Sequence, residues 1–365
     1  MINEFNELSL KRKSWVDTTK SNGFDNGIKN LLTELYPDNA HFIYELLQNA
    51  EDTEATEVKF SLKDNELIFQ HNGRDFDFKD IEGITSIGQG TKKDDINKIG
   101  KFGVGFKAIF AYTNTPLIYS NQYNFSINDL VIPIEIDKKN YDYPTTMIFP
   151  FDNKNKEPQI AYQEIKKGLS SIRDNTLLFL KNINKINYEY ENNLNQIMRD
   201  EIDNEKVSIL NSATKEKTNW LRFKQFLPKS NNLFVSIAYK LEENIELKKE
   251  QIVPIDGEVS IYFPAEKETS KLRFHIHAPF SSTVARDSIK DIEENNILRD
   301  LISKLIVESF KYIKENDYLN FNFLQVLPIK EDNLAIFYEP ILLDIIKTFN
   351  NEPYVLVEDK TFMPA

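Results

Sequence analysis

The stretch Gly100-Lys101-Phe102-Gly103-Val104-Gly105-Phe106-Lys107 decides how this chain is interpreted, because it ends an unusually dense run of glycine. Seven of the eleven glycines lie between Gly73 and Gly105. Glycine tolerates positive φ angles and lets backbone N–H groups approach a ligand closely. The residues just before the stretch, which include Gly88 and Lys92, are polar and rich in lysine. We therefore predict a phosphate-binding loop with a lid that opens and closes over a nucleotide.

The same stretch precedes a helix that the pattern predicts from about Val104 to Tyr112. The N-terminus of a helix exposes unpaired N–H groups and a positive dipole end, so it is a natural site for phosphate. A local cationic cluster surrounds it in a chain whose net charge is -12. Its members are Arg74, Lys92, Lys93, Lys98 and Lys101.

Upstream, the segment Asn39 to Glu51 has the periodicity of an amphipathic helix, which Asp38 can cap. Glu45, Asn49 and Asp52 are spaced so that their side chains lie within about 60° of one another. A polar face of this kind on an isolated helix is ordinarily solvated. Next to a glycine-rich loop, a carboxylate and a carboxamide one turn apart suit a nucleotide-bound Mg²⁺ and its attacking water. We expect Asn49 to bind the metal and Glu45 to accept the proton of the water.

Two other nucleotide motifs are excluded. The glycines Gly83 and Gly88 have the spacing of a Walker A loop, but Gln89 stands where that loop needs lysine. Gly103, Gly105 and Ala108 have the spacing of a dinucleotide fingerprint, but no strand precedes them and no βαβ unit surrounds them.

The composition narrows the class of protein. A net charge of -12 does not favour a broad nucleic-acid-binding surface. There is no cysteine, which excludes disulfides and thiolate chemistry. No apolar run has the length of a membrane span, and residues 1–20 lack the apolar core of a signal peptide. We expect a cytoplasmic protein without direct nucleic-acid or membrane binding.

Strand and helix patterns predict an α+β fold of more than one domain. Residues 57–63 and 67–70 alternate around a turn and predict a β-hairpin, and further strands follow the glycine run. A polar segment at 152–158 indicates a boundary. We predict an N-terminal arm (1–27), a nucleotide-binding domain (28–155), a second α/β domain (156–330) and the start of a further segment (331–365). The abrupt end at Ala365 leads us to expect that the natural chain continues.

Three boxes of this sequence resemble the GHKL superfamily of ATPases, and within it the sacsin-like branch of the heat-shock-chaperone type. The first runs from Glu45 to Asp52, the second from His71 to Phe76, and the third from Ile99 to Ala108. They occur in the order and at a spacing typical of that superfamily. The resemblance covers residues 28–151 and implies a Bergerat fold, a two-layer sandwich in which ATP lies between a helical layer and a lid.

The resemblance also implies roles for individual residues. Glu45 would be the general base, Asn49 the Mg²⁺ ligand, and Asp52 would line the pocket. Thr145 would lie beside the adenine, with Thr146 as the alternative register. The phosphates would be held by the backbone amides of Gly100, Phe102, Gly103, Val104, Gly105 and Phe106. The pocket would also include Gly73, Phe76, Gly88, Lys92 and Lys101.

One position departs from the superfamily. Its second box usually begins with an aspartate that receives the adenine amino group, and here His71 stands in that place while Asp75 replaces a glycine. Sacsin-like sequences often have this form. A neutral histidine is a poorer acceptor for an amino group, so the specificity for adenine is an open question.

The second domain also carries candidates. In the superfamily a basic residue of this domain reaches the γ-phosphate, and Arg286 and Lys290 are the two positions that could do so here. Each is as readily explained as a surface basic residue. His275 and His277 share one strand face, but a metal pair needs further ligands that the sequence does not offer.

The reading that the resemblance favours is a Mg²⁺-dependent switch that binds ATP and hydrolyses it slowly. ATP would close the lid and change how protomers or protein partners associate, which includes an ATP-dependent dimer. Sacsin-like ATPases of bacteria often belong to larger proteins, some linked to antiviral defence, and this chain would be the N-terminal regulatory module of such a protein. The alternative is a nucleotide sensor or chaperone-like interaction module that does not hydrolyse ATP. A histidine kinase is disfavoured, since no dimerisation helix with a phosphoacceptor histidine precedes the boxes.

Overall fold

The computed structural model describes residues 2–24, 27–28, 42–87, 105–228, 230–245, 248–283, 287–357 and 361–365. The chain divides into two compact units. The first unit comprises residues 1–173, 180–198 and 211–213, and the second comprises 174–179, 199–210 and 214–365. The predicted domain boundaries stay a prediction.

The first unit is a mixed sheet with helices. Its helices are α1 (Ile2–Ser21), α2 (Phe42–Asp52), α3 (Phe78–Ile84), a 3₁₀ helix (Gly105–Ala111) and α4 (Pro158–Ser170). Its strands are β1 (Glu57–Lys63), β2 (Glu66–His71), β3 (Leu117–Ser120), β4 (Tyr123–Asn128), β5 (Ile132–Glu135), β6 (Thr145–Pro150), β7 (Lys185–Tyr190) and the first part of β8 (Asn193–Glu201).

The strand order in this unit is β5-β4-β3-β6-β2-β1-β7-β8. The described pairs are antiparallel except β1 with β7, which is parallel. A mixed sheet with helices confirms the expected α+β class. The hairpin of β1 and β2 is also confirmed, and its alternating apolar residues are buried: Val58, Phe60, Leu62, Leu67 and Phe69.

The registers of β1, β2 and β6 define the sheet face that carries the site. His71 is paired with Thr145 and with Val58, and directly paired residues project to the same side of a sheet. Thr146 is paired with Gln70 on the other side and accepts a hydrogen bond from its side chain. Of the two threonine registers that the sequence left open, Thr145 is therefore the one that shares a face with His71.

The N-terminal residues, which were expected to be a polar arm, form the 20-residue helix α1. It contacts β5, and its buried stripe includes Phe5, Leu8 and Val16. Phe5 packs against Phe125 with ring centroids 5.9 Å apart. The stripe is narrow, and Leu10 and Trp15 lie outside it in exposed positions, so the sequence shows little amphipathic periodicity.

The second unit combines strands with C-terminal helices. Its strands are β9 (Lys206–Asn211), β10 (Glu216–Phe226), β11 (Phe234–Asn244), β12 (Lys249–Val253), β13 (Glu258–Ile261), β14 (Phe263–Thr269), β15 (His275–His277), β16 (Val355–Leu356) and β17 (Phe362–Met363). Its helices are α5 (Glu293–Glu315), α6 (Phe321–Val326) and α7 (Glu339–Asn351), with 3₁₀ helices at Asp174–Leu177, Lys330–Asp332 and Ile336–Tyr338.

Strand order in the second unit is β14-β13-β15-β11-β10-β9, and β12 pairs with the far end of β11. Helix α5 packs on β11 and β10 and against α7, so its apolar face closes the core of this unit. Tyr262, with a φ of +67°, separates β13 from β14.

His275 and His277 are buried structural residues. His275 packs on Trp220, and His277 lies among Phe179, Phe234 and Tyr262. Among the described residues, no group of three acidic, histidine or cysteine side chains could hold a metal ion. Within the same residues, no helix is long and apolar enough to cross a membrane.

Candidate functional site

The carboxylate of Glu45 lies directly against the backbone of Gly105. A Cβ atom placed on Gly105 would be 1.9 Å from Oε2 and 2.3 Å from Cδ of Glu45. Glu45 is only 5% exposed, in the first turn of α2, and α2 contacts the 3₁₀ helix that begins at Gly105. The structure therefore brings the predicted general base to the end of the glycine run.

The rest of the polar face of α2 agrees with the predicted spacing. Asn49 and Asp52 are half-buried, whereas Ile43, Leu47 and Ala50 on the opposite side are buried in the core. Gln48, one turn after Glu45, is 1% exposed, and neither atom of its amide has a hydrogen-bond partner in the part of the chain that is described. Gln48 was not among the predicted site residues.

The second box packs on the end of α2. The N–H of Arg74 donates to the carbonyl oxygen of Thr53 at 2.9 Å. A Cβ on Gly73 would lie 2.3 Å from the hydroxyl oxygen of Thr53, so the chain passes there only because this residue is glycine. Arg74 forms a two-pronged ion pair with Asp80 at 2.6 and 3.0 Å. The predicted nearness of the first and second boxes is thus a packing contact between backbones.

His71 is buried at the end of β2, and its hydrogen bonding fixes its tautomer. Its Nδ1 accepts the N–H of Gly73 at 3.2 Å, so in the neutral ring the proton lies on Nε2. Burial, together with the positive charge of Arg74, lowers the pKa of His71 to about 4. At neutral pH the ring therefore offers a donor at Nε2 and no charge.

A chain of hydrogen bonds connects the second box to β6. The hydroxyl of Ser120 accepts the N–H of Phe76 at 2.8 Å and lies 2.9 Å from the hydroxyl of Thr145. All three residues are buried. The arrangement fixes the rotamer of Thr145 beside His71, and Ser120 is a member that the sequence analysis missed.

Phe106 packs in the core on the same sheet face, with its ring centroid 6.2 Å from that of Phe149 on β6. The segment 105–111 is a 3₁₀ helix and not the α-helix that was predicted. The side chain of Asn153 donates to the carbonyl groups of Phe110 and Ala111, which caps the segment after two turns.

Lys107 is a third residue, after Gln48 and Ser120, that the sequence did not predict. It is buried in this segment, and its Nζ donates to the carbonyl oxygens of Ile84 at 2.5 Å and Leu130 at 2.6 Å. Burial is the main cause that lowers its pKa to about 7, and the charge of Arg12 adds to it. Ile84 ends α3, so Lys107 ties the end of that helix to the backbone of Leu130.

Several predicted site residues lie outside the described residues: Gly88, Lys92, Gly100, Lys101, Phe102, Gly103, Val104 and Arg286. Lys290 is described and is exposed in the second unit, where its backbone N–H donates to Ser281. The roles of all of these residues stay predictions.

The described side chains are compatible with a magnesium nucleotide. Mg²⁺ keeps several waters and takes phosphate oxygens, so it needs only one or two protein oxygens. The amide of Asn49, half-buried one turn from Glu45, can be such a ligand. The lack of a three-acid cluster among the described residues is no obstacle to this kind of binding.

Comparison with known proteins agrees with the sequence resemblance over part of the chain. Residues 22–133 match the family model described as the Sacsin domain. Protein NO VEIN of Arabidopsis thaliana is 26% identical over 72% of this chain, which is 11% of that protein. Sacsin of Homo sapiens is 33% identical over 26% of this chain and 2% of its own length. The similarity to sacsin-type proteins is thereby confirmed for this region, and membership of the GHKL superfamily stays a prediction.

Two further similarities are more limited. A protein of Herpetosiphon aurantiacus named "Putative type II restriction enzyme HgiDII" is 31% identical over 26% of this chain and 17% of its own length. The crystal structure of the N-terminal domain of a DNA repair protein overlaps 80% of this chain and 100% of its own, with 12% identity and a TM-score of 0.46. An overlap with so low a TM-score does not indicate a shared function. The chain spans only a small share of the curated relatives it matches.

Proposed function

We propose that the first unit binds ATP with Mg²⁺ and hydrolyses it slowly, so that the nucleotide acts as a conformational switch. The observation that carries this proposal is the contact between Glu45 and Gly105. A buried carboxylate against the backbone at the end of a glycine-rich loop suits a base beside a bound phosphate.

Each residue of the proposed site would have a separate role in binding or hydrolysis. Glu45 would orient the attacking water and accept its proton, because its carboxylate is held in place by the surrounding burial. Asn49 would hold Mg²⁺, which when bound neutralises charge on the phosphate oxygens. Backbone N–H groups of residues 100–105 would bind the phosphates. Asp52 lies one turn beyond Asn49 and would line the pocket on the side of Arg74. The negative charge of Asp52 is one of the causes that raise the pKa of Arg74.

His71 and Thr145 would form the end of the site that binds the purine base of the nucleotide. They are paired across β2 and β6, and the tautomer of His71 presents Nε2–H as a donor. The amino group of adenine is also a donor, so His71 does not make the contact that an aspartate in its place would make. We infer that the protein discriminates weakly between adenine and guanine nucleotides.

The larger context follows from the relatives. Sacsin, NO VEIN and the protein named as a restriction enzyme are all much longer than the matched region. We infer that this chain is a nucleotide-dependent module of a larger assembly, with a protein partner or a second copy as the element that it switches. The name of the Herpetosiphon relative supports a defence-related setting for bacterial members.

The test uses Glu45→Gln, which keeps the shape of the side chain and removes its basicity. Calorimetry with a non-hydrolysable ATP analogue and Mg²⁺ measures binding, and phosphate release measures turnover. We expect binding within about threefold of wild type and turnover reduced by about 100-fold or more. Glu54→Gln is the matched control, because Glu54 is exposed just after the same helix.

Three outcomes would reject part of the proposal. Failure of the wild-type protein to bind the analogue would reject nucleotide binding. Equal losses of binding and turnover in Glu45→Gln would reject the role of Glu45 as base. Analogue binding without measurable turnover in the wild type would leave the non-hydrolysing sensor as the function.

A further inference from the structure

The helix that carries Glu45 and Asn49 is held at its other side by a buried acid, Glu51. Glu51 is 3% exposed. Its Oε1 accepts the backbone N–H groups of Lys181 at 2.9 Å and Asn182 at 2.8 Å, and its Oε2 accepts that of Ile183 at 2.9 Å. Hydrogen bonds to a carboxylate are short and strong, and three successive N–H groups on one carboxylate form a specific anchor. All of these residues belong to the first unit.

Residues 174–179, immediately upstream of this anchor, belong to the second unit. There the carbonyl oxygen of Leu177 accepts a hydrogen bond from Arg199, and that of Leu178 accepts one from Arg222 at 3.0 Å. Both arginines are buried. Phe179 stacks on His277 with ring centroids 5.3 Å apart and an interplanar angle of 17°. This part of the segment is therefore as firmly held in its own unit as residues 181–183 are in theirs.

Only Leu180 separates Phe179 from Lys181. Two consecutive residues can extend by at most about 7 Å, so a link of this length holds almost no slack. The chain passes between the units at other points as well, within and near β8 and β9. The passage at 179–180 differs from those, because it leads within three residues to the side chain that holds α2.

We propose that Glu51 is a positioning residue that couples the nucleotide-binding helix α2 to the second unit through residues 174–183. A shift of α2 on nucleotide binding displaces its Glu51 anchor, and the short link transmits that displacement to residues 174–179. By linkage, the factor by which the nucleotide changes the opening equilibrium of residues 174–179 in the wild type is the factor by which opening of that segment changes nucleotide affinity, and a variant that breaks the link removes both effects. The proposal rests on the proposed nucleotide binding for its trigger, and the mechanical link itself requires no ligand.

The first experiment measures hydrogen exchange of residues 174–179 in the ligand-free protein. Glu51→Gln places an amide NH₂ against backbone donors, so it breaks part of the anchor with little change of volume. We expect exchange of residues 174–179 to rise by about tenfold, as for local opening of an anchored segment. Asp152→Asn is the matched control, because Asp152 also accepts a backbone N–H, that of Asn114, and is remote in sequence from residues 174–183.

The second experiment adds a non-hydrolysable ATP analogue with Mg²⁺ and follows the same amides. In the wild type and in Asp152→Asn we expect the analogue to change the exchange of residues 174–179. In Glu51→Gln we expect that change to vanish while the dissociation constant stays within about threefold, since the three described hydrogen bonds of the Glu51 carboxylate go to residues 181–183. A loss of folding alone would raise exchange across the whole first unit, including the amide of Asn114.

A variant with a longer link tests whether the short connection between Phe179 and Lys181 transmits the displacement. Two glycines inserted between Phe179 and Leu180 lengthen the link by up to about 7 Å and leave the Glu51 anchor intact. We expect the insertion to abolish the response of residues 174–179 to the analogue, whereas the same insertion in the hairpin turn at Asp64-Asn65 should preserve it.

The coupling is overturned if residues 174–179 respond equally in wild type, Glu51→Gln and the insertion variant, or if they do not respond in a wild-type protein that binds the analogue. If the wild type fails to bind the analogue, the proposed function falls. The ligand-free exchange then still decides the link: a tenfold rise in Glu51→Gln but not in Asp152→Asn supports it, and equal exchange rejects it.

Discussion

The side chain of Glu45 occupies the position that a Cβ atom of residue 105 would need, since that atom would lie 1.9 Å from Oε2. The two residues are sixty positions apart in the sequence, and each constrains the other. Gly105 must remain glycine as long as Glu45 keeps its rotamer.

Gly105→Ala is therefore expected to displace Glu45. The clashing atoms are the end of a flexible side chain, so Glu45 can move aside at little cost in unfolding free energy, but the displaced carboxylate should lose its catalytic position. We expect phosphate release to fall by at least the factor seen for Glu45→Gln, and urea unfolding should show little destabilisation. Gly27→Ala is the control, because no atom lies within 4 Å of a Cβ on Gly27. A Gly105→Ala protein with wild-type phosphate release would contradict the described contact.

Asn49→Ala tests the metal ligand. We expect the affinity for the ATP analogue in the presence of Mg²⁺ to fall by about tenfold, as for the loss of one charge-assisted contact. The affinity measured with EDTA should change little, because without the metal Asn49 has no such role. Calorimetry under both conditions gives the comparison, and equal losses with and without Mg²⁺ would assign Asn49 to the nucleotide itself.

His71→Asp should change the choice of base. An aspartate accepts the amino group of adenine, whereas the Nε2–H of the neutral histidine is a donor. We expect the ratio of ATP to GTP affinity to rise by about tenfold in the variant. Gln70→Glu is the control, because it adds the same charge on the neighbouring residue, which faces the other side of the sheet. An unchanged ratio would remove His71 from the base contact.

Lys107→Met tests a pH dependence. The pKa of Lys107 is about 7 in the folded protein, below its value in an unfolded chain, so between these values the unfolded chain binds the proton and the folded protein does not. Stability from this group therefore rises with pH above about 7, by at most about 1.4 kcal/mol per pH unit. Urea unfolding of wild type minus Lys107→Met, measured from pH 7 to 10, should show that rise. A difference independent of pH would contradict the lowered pKa.

Local sequence patterns predicted the parts of this fold that rest on local rules. The alternation in β1 and the polar spacing of Glu45, Asn49 and Asp52 led to a hairpin and a helix face that the structure contains. Gln48 and Glu51 lie on the same helix, but nothing in its periodicity indicates that the amide of Gln48 is buried without a hydrogen-bond partner among the described residues, or that Glu51 is anchored by a residue 130 positions away.

The features that the sequence did not predict have a common physical cause. Segments that are distant in the sequence determine the surroundings of these residues. Lys107 is a lysine in a core position, and only the carbonyl groups of Ile84 and Leu130 make it acceptable there. Helix α1 was taken for an arm because its apolar stripe is narrow, and strand β5 and Phe125 provide the partner that stabilises it. No local pattern contains this information.

The position of β6 limits how the matched region can be isolated. Residues 22–133 exclude β6, which lies between β2 and β3 and joins them into one sheet. A fragment cut at residue 133 would leave two unpaired strand edges and would also lose helix α1, which covers Phe125. Such a fragment would be prone to aggregate, so the stretch shared with sacsin is a recognisable sequence signature but not an autonomous folding domain.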